Sequence, residues 1–432
     1  MTELKKIASF ALDETMALCA DACMCTVRRS EKREFNMEGS EFTLLRSVIG
    51  NDLALSAIKD HRHGSLHVNS LDEETVRGAA KQVMDVTLSG EADEAWEFAK
   101  ETENVNEVQG QPEGDMEAFF SRVRELAKDI REMFPRVSVE SLVAQHNRCE
   151  IVSVNSYGVC HELKRGEYSV GVQFAGREGD ATGSFNASGF TTLDLSKPFI
   201  EQASLKKDLE DAEKQIHPQP MDGKFVGVAV FPPDAFASML YTAIGNFTGD
   251  GAILNGSSIW KDKLGEKVAD ERLTISMNPF DPRIVCGERW TGDGFASEDF
   301  DLIRGGVLKS FMIGLYTSNK TGKARAKNSS WSMIVKNGEK SLDEIVSGIE
   351  RGIVVGRFSG GEPGANGDFS GVAKNSFLIE NGKITKALSE TMINGNLAQM
   401  LLNLVDLSRE TVEDGSMVLP YAAFSGITVS GK

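Results

Sequence analysis

No stretch of this 432-residue chain approaches the roughly 20 consecutive apolar residues of a membrane-spanning helix, so no membrane partner is expected. The opening residues, MTELKKIASFALDETMALCA, set carboxylates inside their apolar stretch and offer no small-residue cleavage site, which argues against an export signal. A cytoplasmic location is therefore expected, and with it reduced thiols for the six cysteines. Cations are also short: 47 Lys and Arg against 64 Asp and Glu give a net charge of −17. A surface that displaces counterions from phosphate needs the opposite balance, so direct nucleic-acid binding is not expected. The tripeptide Gly-Lys-Ser/Thr of a phosphate loop is missing too, so the glycines of 360–371 do not make a Walker loop.

The residues that are present suggest an α+β protein: an α/β N-terminal part with a mixed sheet and helices, followed by a β-rich C-terminal domain. Residues 1–90 read as an α/β section. Ile7, Ala11, Thr15 and Leu18 have helical spacing, and strands follow around 24–29, 41–49 and 52–59, the last two joined by a turn at Gly50-Asn51. Ser70 and Glu73 match a capping box ahead of a helix with Val76, Ala79, Ala80, Val83 and Met84 on one face. Residues 91–117 hold ten carboxylates against the single cation Lys100, the pattern of a solvated acidic connector. Residues 118–220 form a middle α/β section. Phe119, Phe120, Val123, Leu126, Ala127, Ile130 and Phe134 face inward from its first helix. Short strands at 139–145, 148–155, 158–165 and 167–176 then suggest an antiparallel meander, and 199–217 a mostly polar helix. Residues 221–432 form the β-rich domain, with a short helix behind the capping box Ser341 to Glu344 and a hairpin at Asn381-Gly382.

Three clusters invite a metal or nucleophile reading and are better explained by structure. Cys19, Cys23 and Cys25 straddle a helix end and a strand with no fourth ligand nearby, which suits small buried residues. His61, His63 and His67 surround a turn at Gly64. Cys160, His161 and Glu162 are strand neighbours and so point alternately to opposite faces.

The most informative stretch is FPPDAFASMLYTAIGNFTGDGAILNGSSIWKDKLGE, 231–266. Pro232 and Pro233 end a strand, and Phe236, Met239, Leu240, Ala243, Ile244 and Phe247 recur at three- and four-residue spacing, the mark of a buried helix. Beside that stripe stand Tyr241, Thr242 and Asn246, where a metal-binding helix would carry ligands. Phenol and carboxamide are poor zinc ligands, and Thr242 has no carboxylate with which to act as a general base.

The segment Ser238 to Lys267, with KDKLGEKVA, resembles the TldD/PmbA family, as do NSYGV at Asn155 and the long stretch GDFSGVAKNSFLIENGKITKALSETMINGNL. Placed on this chain, the His-Glu-x-x-x-His motif of the TldD branch falls on Tyr241, Thr242 and Asn246, a departure that looks like the partner branch, PmbA or TldE. The family's third ligand is a cysteine near its C-terminus, whereas the last cysteine here is Cys286 and GSMVLPYAAFSG offers no thiolate. The resemblance thus implies a subunit of a cytosolic two-subunit metalloprotease acting on unfolded peptides, with no catalytic residue or metal of its own and zinc expected only in a TldD-type partner. It pairs with that partner or with itself. Gyrase modulation, a label carried by family members, would be indirect. An extended peptide would add to exposed backbone at Phe358, Ser359, Gly360, Gly361, Asn366, Gly367 and Ser370. The alternative is a self-associating, non-catalytic peptide-binding or scaffold protein.

Overall fold

In a computed structural model, which describes residues 2–39, 41–389 and 391–431, the chain builds two large sheets, an α+β architecture as expected. The first has eight strands. Its centre is the antiparallel pair Ala22–Glu38 and Val137–Asn155, in register from Met24 opposite Asn155 to Met37 opposite Leu142. The sections read as separate, 1–90 and 118–220, therefore share one continuous sheet. Glu41–Lys59 and Arg62–Val68 extend it on one side and Cys160–Glu178 on the other. Two elements share the far edge of Cys160–Glu178: Asn106–Gly110 pairs with Glu162 to Gly166, and Asn186–Thr192 with Tyr168 to Phe174. Helices Glu3–Ala17 and Glu73–Ser89 bury Leu4, Ala8, Val76 and Val83 against Cys23, Cys25, Leu53 and Leu55. Helix Met116–Met133 packs Phe119, Val123 and Leu126 on Tyr168, Phe190 and Phe199.

Four local expectations are corrected. Gly50-Asn51 is no turn: Glu41–Lys59 runs straight through it, with Ser30 opposite Gly50, and the chain reverses after Glu38, where Gly39 has φ +62°. A side chain at Gly50 would press on the Ser30 hydroxyl, so close cross-strand approach selects the glycine there. The four-strand meander is two long strands. The break read at Gly166 is a position where Gln111 and Pro112 lie against bare backbone. The N-cap of Glu73–Ser89 is Asp72, which accepts from the Thr75 N–H (2.9 Å), while Ser70 donates to the Asp72 carboxylate. The polar helix expected over 199–217 divides into a single 3-10 turn, Phe199–Glu201, and the helix Leu205–Lys214.

The acidic stretch 91–117 is packed. Trp96 stacks between His63 (4.2 Å between centroids) and Tyr316 (4.0 Å), Asp93 accepts from Tyr316 and Lys320, and Ala99 donates its N–H to the Asp293 carbonyl. This strap ties the first sheet to the second. His161, fully buried, joins it by bonding the Gly294 carbonyl (2.9 Å) and the Val105 N–H (3.1 Å), while Glu162 on the opposite face pairs with Lys5 (2.7 Å). His61 lies in a turn at φ +60° and His67 contacts Asp52, so the three histidines do not converge.

The second sheet has 14 strands. Lys224–Phe231 lies between Arg351–Val354, parallel, and Val418–Ser430, antiparallel, and leads directly into helix Pro233–Thr248. The helix starts with proline at its first position, where a missing N–H costs nothing. It buries the expected face: Phe236, Met239, Leu240, Ala243, Ile244 and Phe247 each expose 2% or less. The Ser341–Glu344 capping box forms both of its bonds, and Asn381 and Gly382 take positive φ as a tight hairpin requires. No helix among the described residues is long and apolar enough to cross a membrane.

Candidate functional site

Helix Pro233–Thr248 turns its buried stripe to the sheet and leaves Tyr241, Thr242 and Asn246 at the edge of the core, each part-exposed. Tyr241 donates its hydroxyl to the sulfur of Met417 (3.1 Å) and sets its ring edge-on to Trp331, centroids 4.7 Å apart. Burial raises its phenol above the ordinary range, and the Asp414 carboxylate adds to the shift. Thr242 bonds only back to the Ser238 carbonyl (3.1 Å), one turn earlier. Asn246 reaches out of the helix and donates to the carbonyls of Pro363 and Gly364, both at 3.1 Å. The helix and the glycine-rich segment, identified separately in the sequence, therefore meet at Asn246.

The candidate groove residues serve different ends. Arg357–Ser359 is a short strand that, among the described residues, is paired on one side only, with Val372 to Lys374. Ser359 and Gly360 are its open end, and nothing lies within 4 Å of where a Cβ on Gly360 would sit. Phe358 instead packs edge-on against Phe369 (5.6 Å), and Ser370 bonds Asn394 (2.6 Å). Gly361, at φ +56°, would bring a Cβ to 1.7 Å from the Ser370 carbonyl, and Gly367, at φ +89°, one to 2.9 Å from the Phe247 ring. Fold geometry accounts for these two glycines without a peptide. Asn366 holds the loop, bonding Asp368, and its carbonyl accepts from Asn396.

Sequence reasoning missed Met417 and Asp234. Met417 lies in the C-terminal segment where the resemblance places a thiolate ligand, and it touches the first motif position. Asp234, in the helix's first turn, still meets water yet is walled by protein on most sides; burial, aided by Asp414, pushes its carboxyl up to about 6. Asp208, in helix Leu205–Lys214, is raised to about 7, by burial first and then by like charges including Asp234. No sequence spacing links these acids, which belong to three separate segments.

The donor set at the motif does not fit zinc. It consists of a phenol engaged with a thioether, a hydroxyl bonded to its own helix and an amide holding a loop. No three His, Cys, Asp or Glu side chains among the described residues gather at metal-binding distance.

Residues 227–431 match the PmbA/TldA metallopeptidase C-terminal domain. The C-terminal half of the chain is a PmbA/TldD-family domain. The chain is 22% identical over 455 residues to the metalloprotease PmbA homolog of Haemophilus influenzae, covering 98% of this chain and 96% of that protein. In fold it is similar to TldE of Thermococcus kodakarensis (TM-score 0.83, 21% identity, all of both chains). It is similar also to a candidate modulator of DNA gyrase from Bacteroides thetaiotaomicron (TM-score 0.88, 24% identity, all of both chains). The PmbA/TldD fold thus spans both sheets and the strap between them.

Proposed function

We propose that this chain is a PmbA/TldE-type subunit of a cytosolic two-subunit metalloprotease for unfolded peptides, and that it lines the peptide path while a TldD-type partner carries the zinc and the chemistry. One observation supports the reading: the motif helix touches the glycine-rich loop and the C-terminal segment, while each ligand position implied by the resemblance holds a side chain committed elsewhere. The one-sided strand Arg357–Ser359 beside that helix supplies unpaired backbone for an extended chain. Gyrase modulation and direct nucleic-acid contact form no part of this reading, given the net charge of −17.

Reconstitution tests it. The chain alone is expected to be inert; mixed with a TldD-type subunit from the same organism it supports chelator-sensitive cleavage of unfolded peptides and spares compact proteins. Full activity from the partner alone would refute the reading. A self-associating scaffold is the second reading, favoured by one feature: Arg62–Val68 covers only Leu53 to Lys59, leaving the outer half of Glu41–Lys59 with one bare edge and with Leu45 and Ile49 more than 70% exposed. Sedimentation of the chain alone distinguishes a stable dimer from a monomer awaiting its partner.

A further inference from the structure

Behind the motif helix lies a cavity of about 400 Å³, formed by the helix's last turn, the loop at 291–293, the segment 312–314 and the loop carrying Asn328 and Trp331. Two carboxylates line it. Asp293 accepts from the Leu315 N–H (2.9 Å) with one oxygen, and Asp250 from the Gly314 N–H (3.0 Å) with one of its own. Their second oxygens have no protein donor among the described residues, and neither acid forms an ion pair there. Burial, with the charge of Asp250 as a further contribution, holds the Asp293 carboxyl above its usual range. Arg325 is the nearby cation and its charge partly offsets that rise, but it lies over the Phe295 ring at 3.6 Å and gives its Nη1 to the Ala326 carbonyl. Trp331, 40% exposed and braced by Tyr241, lines the same cavity and presents an aromatic surface.

Two glycines mark the mouth of the cavity. Gly245 sits inside helix Pro233–Thr248, where glycine costs roughly 0.5–1 kcal/mol relative to alanine. It lacks the left-handed backbone that would justify that cost, and nothing lies within 4 Å of where its Cβ would be. Gly292 lines the cavity under the same conditions. Both are solvent-exposed, and what the missing side chains leave is an open mouth to the cavity beside Asp250, itself exposed, and the half-buried Asp293.

We propose that this cavity receives the cationic group of an extended peptide, an alkylammonium or guanidinium, between Asp250, Asp293 and the face of Trp331. Carboxylates on one side and an indole on the other match a cation with an apolar stem, and a volume of this size accepts a long side chain. The inference rests on the reading of the chain as a peptide-lining subunit and names what that path selects. The cation comes from a Lys or Arg side chain or from the peptide's free N-terminus.

The test uses the purified full chain, calorimetry or tryptophan fluorescence, and unstructured decapeptides that differ at one position: Lys, Arg or norleucine, each with a free or acetylated N-terminus. n-Butylammonium and methylguanidinium serve as small probes. Basic peptides are expected to bind about tenfold tighter than the norleucine peptide, a difference of about 1.4 kcal/mol. Acetylation removes the preference if the ammonium is terminal and leaves it if the cation is a side chain. Asp250→Asn with Asp293→Asn abolishes the preference. Because those acids also bond the backbone ahead of helix Leu315–Thr321, Gly245→Leu provides a second check: it fills the cavity from a helical backbone that tolerates leucine, and should abolish the preference with folding intact. Equal affinity for basic and neutral peptides, or an undiminished preference in Gly245→Leu, would overturn the proposal. If the small cations bind and are displaced by Gly245→Leu while the neutral peptide backbone binds nowhere, the cavity assignment stands and the peptide-path reading fails.

Discussion

The hydroxyl of Tyr241 points at the sulfur of Met417, 3.1 Å away, and so joins the motif helix to the C-terminal strand region at the place where the family's metal-bearing branch is expected to close its site. Tyr241 stands at the first position of the motif, and its partner Met417 lies in the C-terminal segment where the resemblance implies a thiolate. Restoring only the helix, by Tyr241→His, Thr242→Glu and Asn246→His, leaves two imidazoles and should bind zinc weakly. Adding Met417→Cys supplies a thiolate next to the first imidazole and should tighten zinc by about a hundredfold, since structural and catalytic sites alike need at least three protein ligands. Competition with a chromophoric chelator measures both variants; equal affinities would show that Met417 is not at the ligand position.

Asn246 holds the glycine-rich loop through two hydrogen bonds, to Pro363 and Gly364. Asn246→Ala should cost about 1 kcal/mol or less of global stability, because the bonds are part-exposed, yet should speed amide exchange over 360–368 well beyond the rest of the chain. Uniform exchange across the molecule would contradict this.

Gly361→Ala and Gly367→Ala should destabilise the protein, by roughly 1–2 kcal/mol each for the left-handed backbone alone and by more where a Cβ meets the Ser370 carbonyl or the Phe247 ring. A groove built only for peptide access would instead predict normal stability with reduced partner-dependent activity. Gly360→Ala, at φ +78° but with open space around it, carries the backbone strain alone and should cost least of the three. Thermal unfolding of the three variants ranks them.

Asp208 and Asp234 have folded carboxyls at about 7 and about 6, above the value of 3.8 they take when free. An acid whose pKa is raised by folding binds more protons in the native state, so its contribution is best at low pH and is lost as pH rises through the folded pKa. From these two groups stability should therefore decline between about pH 4 and pH 7.5. Asp208→Asn and Asp234→Asn should each be more stable than the parent at pH 7.5 and equal to it near pH 4. Half-buried His63 and buried His161, whose pKa values are lowered, act in the opposite direction, so the comparison is made variant against parent at each pH. A parent and variants with parallel profiles would refute the assignment.

Where a local signal has only one physical reading, the sequence reading and the structure agree. The spacing of Phe236, Leu240, Ala243 and Phe247 admits only a buried helix, and Asn381-Gly382 only a tight hairpin. Gly50 misled because glycine answers two demands, a turn or a close neighbour, and the neighbour, Ser30, lies across the sheet. Ser70 and Asp72 are both acceptable caps two residues apart, and only the geometry decides which oxygen meets Thr75. The contact of Asn246 with Pro363 joins segments far apart in the chain, as do Tyr241 with Met417 and Asp250 with Asp293 around one cavity. No periodicity carries such information.

The Trp96 sandwich bears on how the molecule is made. His63 and Trp96 leave the ribosome early, but Tyr316, the third ring, follows only after the first sheet and five of the 14 strands of the second have been synthesised. Until then the strap has its own strand, Asn106–Gly110, paired on Cys160–Glu178, while one face of the indole waits for its neighbour. Closure of that stack is a long-range event, slow because so much chain must be ordered before it is rewarded. Its closure is therefore expected to come after pairing within the first sheet, and the quenching of Trp96, in a variant whose other three tryptophans are replaced, would time that step.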